Sequence, residues 1–170
     1  MTTQHKRQEI ESIEKDLVHV PPFHVLLADD DSDDRYFFEK VLSVLPIPTR
    51  LTTVADGEKL MTYLSENSEK LPDVLFLDLN MPRKNGSECL PEIKHNEKLK
   101  RLPVIIYSTS SPENVADLLY NNGAHYYVRK TDLKELQKVL YHVLTHLAEN
   151  RFARPARENF ILTLAGSIAY

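Results

Sequence analysis

Charged side chains follow three separate apolar runs of this sequence. Asp29, Asp30 and Asp31 come directly after VLLA, Asp78 comes after VLFL, and Lys130 comes after YYVR. If these runs are parallel strands of one sheet, their carboxyl ends meet at one edge, where open α/β sheets bind ligands. Clustered carboxylates repel one another unless a divalent cation with oxygen ligands lies between them, and a lysine offers charge to a phosphate. We therefore predict a metal-dependent acceptor of phosphoryl groups.

The elements that must position these side chains alternate along the chain. Between Phe23 and about Leu147, short apolar runs alternate with helical patterns, which is typical of a parallel sheet covered by helices on both faces. We predict five strands, at Val25–Ala28, Leu51–Ala55, Val74–Leu79, Val104–Ser108 and Tyr126–Arg129.

Capping residues and apolar stripes predict one helix after each strand. The first covers Ser32 to Val44, with Tyr36, Phe37, Val41 and Leu45 facing inward. The second starts at Asp56-Gly57, and the third follows Gly86 and contains Leu90, Ile93 and Leu99. The fourth runs from Ser111-Pro112 to Asn122-Gly123, and the fifth is capped by Asp132 with Glu135 and reaches Leu147.

Composition narrows the class of protein. A chain of 170 residues suits one domain, which we expect at residues 23–148, with an N-terminal extension at 1–22 and a linker and apolar tail at 149–170. A formal charge of −4 and no basic block give no electrostatic footprint for nucleic acid or an anionic membrane. The lone Cys89, the absence of a signal-peptide pattern and of long apolar runs predict a soluble, cytoplasmic protein.

Asp78 is the candidate acceptor within VLFLDLNMPRKNG. A carboxylate forms an acyl phosphate when the charge on the transferred oxygens is neutralised and the donor is held in line. Asp29 and Asp30 would hold a cation together with Asp78, and the backbone carbonyl of Asn80 would complete the oxygen shell. Mg²⁺ fits this set because it needs only a few carboxylates and keeps several waters.

At this point the sequence resembles the receiver domain of two-component response regulators, typified by the bacterial chemotaxis response regulator. The resemblance spans roughly Phe23 to Ala148 and rests on residues in a fixed order: the pair Asp29-Asp30, Asp78 in LDLNMPxxNG, Ser108, Tyr127 and Lys130. It implies an α/β fold with a five-stranded parallel sheet, a doubly wound (βα)5 flavodoxin-like sandwich with strand order 2-1-3-4-5.

The resemblance also implies a role for each of these residues. Asp78 would accept the phosphoryl group, and Lys130 would pair with Asp78 or with a phosphoryl oxygen. Ser108 would move to hydrogen-bond the phosphoryl group as Tyr127 rotates inward, which remodels the face made by the fourth helix, fifth strand and fifth helix. The donor would be a sensor histidine kinase or a phosphotransfer protein, and a downstream protein would read the changed face.

Two positions depart from the family pattern. Thr131 follows Lys130 where the family usually has proline, often with a cis peptide. A cis bond without proline costs about 2.5–4 kcal/mol, so either strain is tolerated or the loop is trans, and we expect trans. Ser108 stands where threonine is common and keeps the hydroxyl. Asn80 and Ser110 match positions that tune phosphoryl lifetime in the family.

Other functions remain open at this level. A phosphorelay carrier would pass the group onward without a surface change, and a Mg²⁺-dependent phosphohydrolase would also use an aspartate nucleophile. Such hydrolases usually need an acid two residues on, where this chain has Asn80, so we expect a signalling protein and not a turnover enzyme. Asp31, Asp33 and Asp34 are interpreted as solvated or capping residues.

The apolar tail needs a covering surface. Phe160, Ile161, Leu162 and Leu164 would form an exposed patch on a monomer, so they dock either on the domain or on a second copy in a homodimer. Residues 149–170 are too few for a DNA-binding unit, so we expect a stand-alone receiver.

Overall fold

The computed structural model describes residues 21–164, in which five strands and five α-helices alternate. The strands are β1 (Phe23–Ala28), β2 (Thr49–Val54), β3 (Val74–Leu77), β4 (Val104–Ser108) and β5 (Tyr126–Arg129). The helices are α1 (Ser32–Ser43), α2 (Gly57–Glu66), α3 (Gly86–His95), α4 (Ala116–Asn121) and α5 (Leu133–Ala148). The expected extension at 1–22 lies outside the described residues except for 21 and 22, and so do residues 165–170 of the expected tail.

All five strands pair in parallel, in the order β2-β1-β3-β4-β5, so the predicted fold and strand order are confirmed. Helices α1 and α5 cover one face of the sheet, and α2, α3 and α4 cover the other. Strand β3 is buried on both faces because every residue of Val74–Leu77 is apolar. Within residues 21–164, no helix is both long enough and apolar enough to cross a membrane.

The inner face of α1 differs from the predicted stripe. Tyr36 and Phe37 are 53% and 44% exposed, whereas Phe38 is fully buried, with its ring edge-on to those of Phe76 and Tyr107. Val41 and Leu45 pack inward as predicted. The prediction was wrong for Tyr36 and Phe37, because a helix that starts at Ser32 turns position 38 toward the sheet and carries its two predecessors to the outside.

Helices α3 and α4 are shorter than predicted. Asn96 leaves the helical conformation and its side chain accepts the Lys98 N–H at 2.9 Å, so α3 ends before Leu99, which is buried in the following turn. The N–H groups of Val115 and Ala116 both donate to the carbonyl of Pro112, so a separate turn precedes α4. Chain reversal after α4 falls at Gly123, as predicted, with φ of +96°.

The segment that follows α5, residues 149–164, is here called the tail, and it docks on its own domain. Phe160 is fully buried, and Leu162 and Leu164 pack against the cluster under α5. Glu135 therefore does not complete the predicted capping box of α5: its carboxylate accepts the Leu164 N–H at 2.8 Å, while Asp132 caps the helix alone. Local sequence pattern does not reveal the bond between Glu135 and Leu164, because the two residues lie 29 positions apart on different elements.

Candidate functional site

Three carboxylates meet at the carboxyl edge of the sheet. Asp29 and Asp30 follow β1 and Asp78 follows β3, and one oxygen from each lies within 4.8 Å of the others. Asp29 is fully buried, Asp78 is 5% exposed, and Asp30 faces solvent. This set consists of oxygen donors only and carries concentrated negative charge, so it suits a hard divalent cation such as Mg²⁺.

The loop after β3 is closed tightly behind Asp78. The Asp78 N–H donates to the carbonyl of Ala28 at 2.9 Å, and the Gly86 N–H donates to the carbonyl of Leu79 at 3.0 Å. A Cβ at position 86 would lie 2.2 Å from the carbonyl oxygen of Asp78, so only glycine permits this approach. The backbone of Asp78 is thus held at the floor of the pocket.

Lys130 enters the pocket from the end of β5. Its Nζ lies 2.6 Å from Asp29, 2.8 Å from Asp34 and 3.4 Å from Asp78, each measured to a carboxylate oxygen. The same Nζ lies 5.3 Å from the ring centroid of Tyr107, within reach of a cation–π contact. The peptide bond to Thr131 is trans, as expected, since residues 21–164 contain no cis peptide.

Asp34 is the residue that sequence reasoning missed at this site. We interpreted it as solvated or capping, but it forms an ion pair with Lys130, which makes that interpretation wrong. Asp31 does cap α1, since its carboxylate accepts the N–H groups of Asp33 and Asp34. The cap fixes the first turn of the helix and so directs the Asp34 carboxylate to the pocket, a consequence of packing that an acidic run alone does not reveal.

The Asp34–Lys130 pair leads to a first prediction. Asp34 competes with Asp78 for the Lys130 ammonium, so Asp34→Asn should free that charge and raise the rate of phosphorylation by a small phosphodonor. A partly exposed ion pair contributes up to about 1 kcal/mol, which limits the gain to about fivefold. The initial rate of mass increase measures the change in phosphorylation rate. Asp33→Asn, at the neighbouring aspartate, is the matched control. A rate that falls in Asp34→Asn would contradict the competition.

Burial sets the protonation of the pocket. It raises the pKa of Asp29 and of Asp78 above the ordinary aspartate value, although hydrogen bonds and charge from Lys130 oppose the shift. Burial opposes the charge on Lys130, but the hydrogen bonds that its ammonium donates to Asp29 and Asp34 outweigh this effect, so the pKa of Lys130 is raised. Lys130 therefore carries a positive charge at neutral pH. Burial favours the protonated form of the Asp29 and Asp78 carboxyl groups.

These shifts predict how stability depends on pH and Mg²⁺. A raised carboxyl pKa means that the folded state binds protons more tightly, so this contribution favours folding at low pH and weakens as pH rises above about 4. Bound Mg²⁺ should offset the loss, by about 2.7 kcal/mol at a hundredfold excess over Kd, and should do less at pH 4. Thermal melts with and without Mg²⁺, at pH 4 and at neutral pH, measure the stabilisation by Mg²⁺ under each condition. Equal stabilisation at the two pH values would contradict it.

The remaining predicted residues form a chain of hydrogen bonds next to the carboxylates; they are Asn80, Ser108, Ser110 and Tyr127. The Tyr127 hydroxyl donates to the carbonyl of Ser110 at 2.7 Å, and the Ser110 N–H donates to Oγ of Ser108 at 3.2 Å. The side-chain amide of Asn80 donates to Oγ of Ser110 at 2.9 Å, and its backbone N–H donates to Asp78 at 3.3 Å. Ser110 thus joins the predicted switch residues to Asp78, which is a link that their sequence order did not show.

A parallel sheet in the order 2-1-3-4-5, with carboxylates and a lysine at its carboxyl edge, defines the class of receiver-type α/β domains. The chain belongs to the response regulator receiver family, because the model of the "Response regulator receiver domain" matches residues 25–141. Proteins of this family serve in signalling and are generally not turnover enzymes.

Individual relatives agree with this assignment. Response regulator Rcp1 of Synechocystis sp. is 35% identical over 125 residues, which cover 71% of this chain and 85% of that protein. The phosphorylated cyanobacterial phytochrome response regulator RcpA superposes with a TM-score of 0.68 at 30% identity, covering 76% of this chain and 96% of that one. The Mn²⁺-bound form of Rcp1 has a TM-score of 0.67 at 33% identity, covering 79% and 100%.

Proposed function

We propose that this protein is a response regulator that accepts a phosphoryl group on Asp78 and signals through phosphorylation-dependent protein contact. The observation that carries the proposal is the convergence of Asp29, Asp30 and Asp78 with Lys130 in one pocket. Membership of the receiver family supports it. The donor would be a sensor histidine kinase or a phosphotransfer protein, and the protein would act in the cytoplasm.

In the proposed transfer, a carboxylate oxygen of Asp78 attacks the phosphorus of a phosphohistidine. The new P–O bond forms as the P–N bond breaks, and the imidazole keeps the electron pair and takes a proton. Asp29, Asp30 and Asp78 would hold Mg²⁺ with the backbone carbonyl of Asn80, and the ion would supply positive charge to the transferred oxygens. Lys130 would turn from Asp78 to a phosphoryl oxygen, and its ammonium stays charged throughout.

The proposed switch uses the hydrogen-bonded residues Ser108, Ser110 and Tyr127. The Ser108 hydroxyl accepts the Ser110 N–H, so its own proton is free to be donated to a phosphoryl oxygen. Movement of Ser108 would shift Ser110 and with it Tyr127, whose hydroxyl bonds the Ser110 carbonyl. Because Tyr127 lies on β5 between α4 and α5, where the tail packs, the phosphoryl group would alter the surface made by these elements and the tail, and a downstream partner would read that surface.

We further propose that the donor is a kinase of the phytochrome type. Three solved relatives support this: RcpA is a cyanobacterial phytochrome response regulator, RPA3017 acts in red light signalling, and RtBRR is a bacteriophytochrome response regulator, at 30%, 25% and 26% identity. Transfer from a phosphorylated phytochrome kinase should be faster than from an unrelated sensor kinase. Equal rates would remove the phytochrome assignment.

Incubation with Mg²⁺ and acetyl phosphate tests the core proposal against the phosphohydrolase alternative. We expect at most one phosphoryl group per chain and no turnover of phosphomonoesters, because Asn80 occupies the position where such hydrolases carry an acid. Intact mass and released inorganic phosphate measure the two outcomes. Multiple turnovers of a phosphomonoester would support the hydrolase instead.

Two finer alternatives have their own tests. A phosphorelay carrier should bind its partner equally with and without beryllofluoride, an acyl-phosphate mimic, whereas a switch should bind differently. The homodimer through the tail predicts that a chain ending at Asn150 loses oligomeric mass. The docking of the tail on its own domain offers the simpler account of its apolar residues.

A further inference from the structure

The tail extends the sheet beyond β5. The Tyr127 N–H donates to the carbonyl of Phe160 at 2.9 Å, and the Tyr127 carbonyl accepts the Leu162 N–H at 2.9 Å. Both backbone groups that Tyr127 would present on the outer edge of β5 are therefore used by the tail. An edge strand would otherwise offer these groups to another chain.

Ring–ring, cation–π and hydrogen-bond contacts also hold the tail on α4. The Phe160 ring is edge-on to Tyr120 of α4 and to Tyr127 of β5, with centroids 5.4 and 6.5 Å apart. The Arg154 guanidinium lies 3.8 Å from the centroid of the Tyr120 ring, and the Tyr120 hydroxyl donates to the carbonyl of Pro155 at 3.0 Å. With Glu135 of α5 bonded to the end of the tail, the tail contacts all three elements of this face.

A continuous set of hydrogen bonds leads from this surface to the acceptor. Tyr127 bonds the Ser110 carbonyl, Ser110 bonds both Ser108 and Asn80, and Asn80 bonds Asp78, at 2.7 to 3.3 Å. The ring that the tail holds is therefore the same one that fixes the β4–α4 loop next to the pocket. A loose Tyr127 would leave Ser110, and the hydroxyl of Ser108, without a fixed position.

We propose that Phe160 is a positioning residue for phosphorylation: tail docking holds Tyr127 inward, orders the Ser110 loop and so favours the phosphoryl group on Asp78. The inference rests on the proposed function and assigns the tail to the same site. Coupling between two sites is reciprocal, so a phosphoryl group on Asp78 must strengthen tail docking by the same factor. The tail acts as an internal ligand of the face formed by α4, β5 and α5.

The first test compares beryllofluoride binding, at saturating Mg²⁺, in full-length wild type, Phe160→Ala and Ile161→Ala. Ile161 is adjacent and apolar but 38% exposed. Ile161→Ala therefore controls for the loss of an apolar tail side chain that is not buried. We expect Phe160→Ala to weaken beryllofluoride binding at least about fivefold, with Mg²⁺ affinity in the absence of beryllofluoride unchanged. Phe160→Leu should recover most of the loss. Wild-type affinity in a folded Phe160→Ala protein overturns the inference.

The second test needs no variant and so does not depend on the folding of Phe160→Ala. Amide hydrogen exchange at Leu162, whose N–H bonds Tyr127, should slow at least about fivefold when beryllofluoride and Mg²⁺ bind the wild-type protein. Unchanged exchange with beryllofluoride bound overturns the coupling and leaves the proposed function intact. A wild-type protein that neither binds beryllofluoride nor gains a phosphoryl group overturns both.

Discussion

Asp78→Asn should gain no phosphoryl group from acetyl phosphate under conditions in which the wild-type protein is modified. The amide keeps the size and most hydrogen bonds of the carboxylate but has no anionic oxygen to form the acyl phosphate. Asp78 is 5% exposed, and its N–H is held by the carbonyl of Ala28, so the substituted side chain should keep its place in the pocket. Intact-mass measurements over time record the loss.

The matched control is Asp31→Asn, directly after the proposed metal-binding pair Asp29-Asp30. Asparagine caps a helix about as well as aspartate, so the cap of α1 and its first turn should be retained. We expect near wild-type phosphorylation in this variant, which separates loss of the acceptor from loss of local charge. Undiminished modification of Asp78→Asn would place the acceptor elsewhere.

Lys130→Met should produce the largest loss of stability among single substitutions in the pocket. The side chain of Lys130 is 9% exposed and faces two buried carboxylates, Asp29 and Asp78. Removal of one partner from a buried ion pair leaves uncompensated charge, which costs about 3 kcal/mol. Urea unfolding at pH 7 without divalent cations should show this decrease, and the variant should also phosphorylate poorly because no ammonium meets the transferred oxygens.

The pH dependence identifies the cause of that loss. Protonation of Asp29 and Asp78 removes the uncompensated charge, so the difference between Lys130→Met and wild type should shrink as the pH falls toward 4. Lys134→Met, at an exposed position in the first turn of α5, should be within about 0.5 kcal/mol of wild type. A deficit of constant size at both pH values would indicate lost packing instead of charge.

The sequence carried enough information for the fold because the strands are short apolar runs that end in polar residues. Short runs such as VLFL, bounded by polar residues, favour a strand buried on both faces, and parallel pairing then brings Asp29, Asp78 and Lys130 to one edge. The order of strands came from the resemblance to receivers, since local patterns do not specify which strands pair.

What sequence reasoning missed depends on contacts between distant elements. Asp34 contacts Lys130, which lies 96 positions away in the sequence. Its carboxylate is of the same type as that of the capping residue Asp31, three residues earlier, so residue type alone does not distinguish the two roles. Phe160 is buried against α4 and β5, whereas the tail pattern alone leaves docking on the domain and docking on a second copy equally open. The ends of α3 and α4 depended on side-chain and turn hydrogen bonds that compete with helical ones.

The most direct measurement is the location of the phosphoryl group in the wild-type protein after incubation with acetyl phosphate and Mg²⁺. We expect one phosphoryl group per chain, on the peptide that contains Asp78, in a linkage that hydroxylamine cleaves as it does acyl phosphates. Chelation of Mg²⁺ should prevent its formation. A phosphoryl group on any other residue, or one that forms equally well without a divalent cation, would contradict the assignment of Asp29, Asp30, Asp78 and Lys130 to one phosphoryl-accepting pocket.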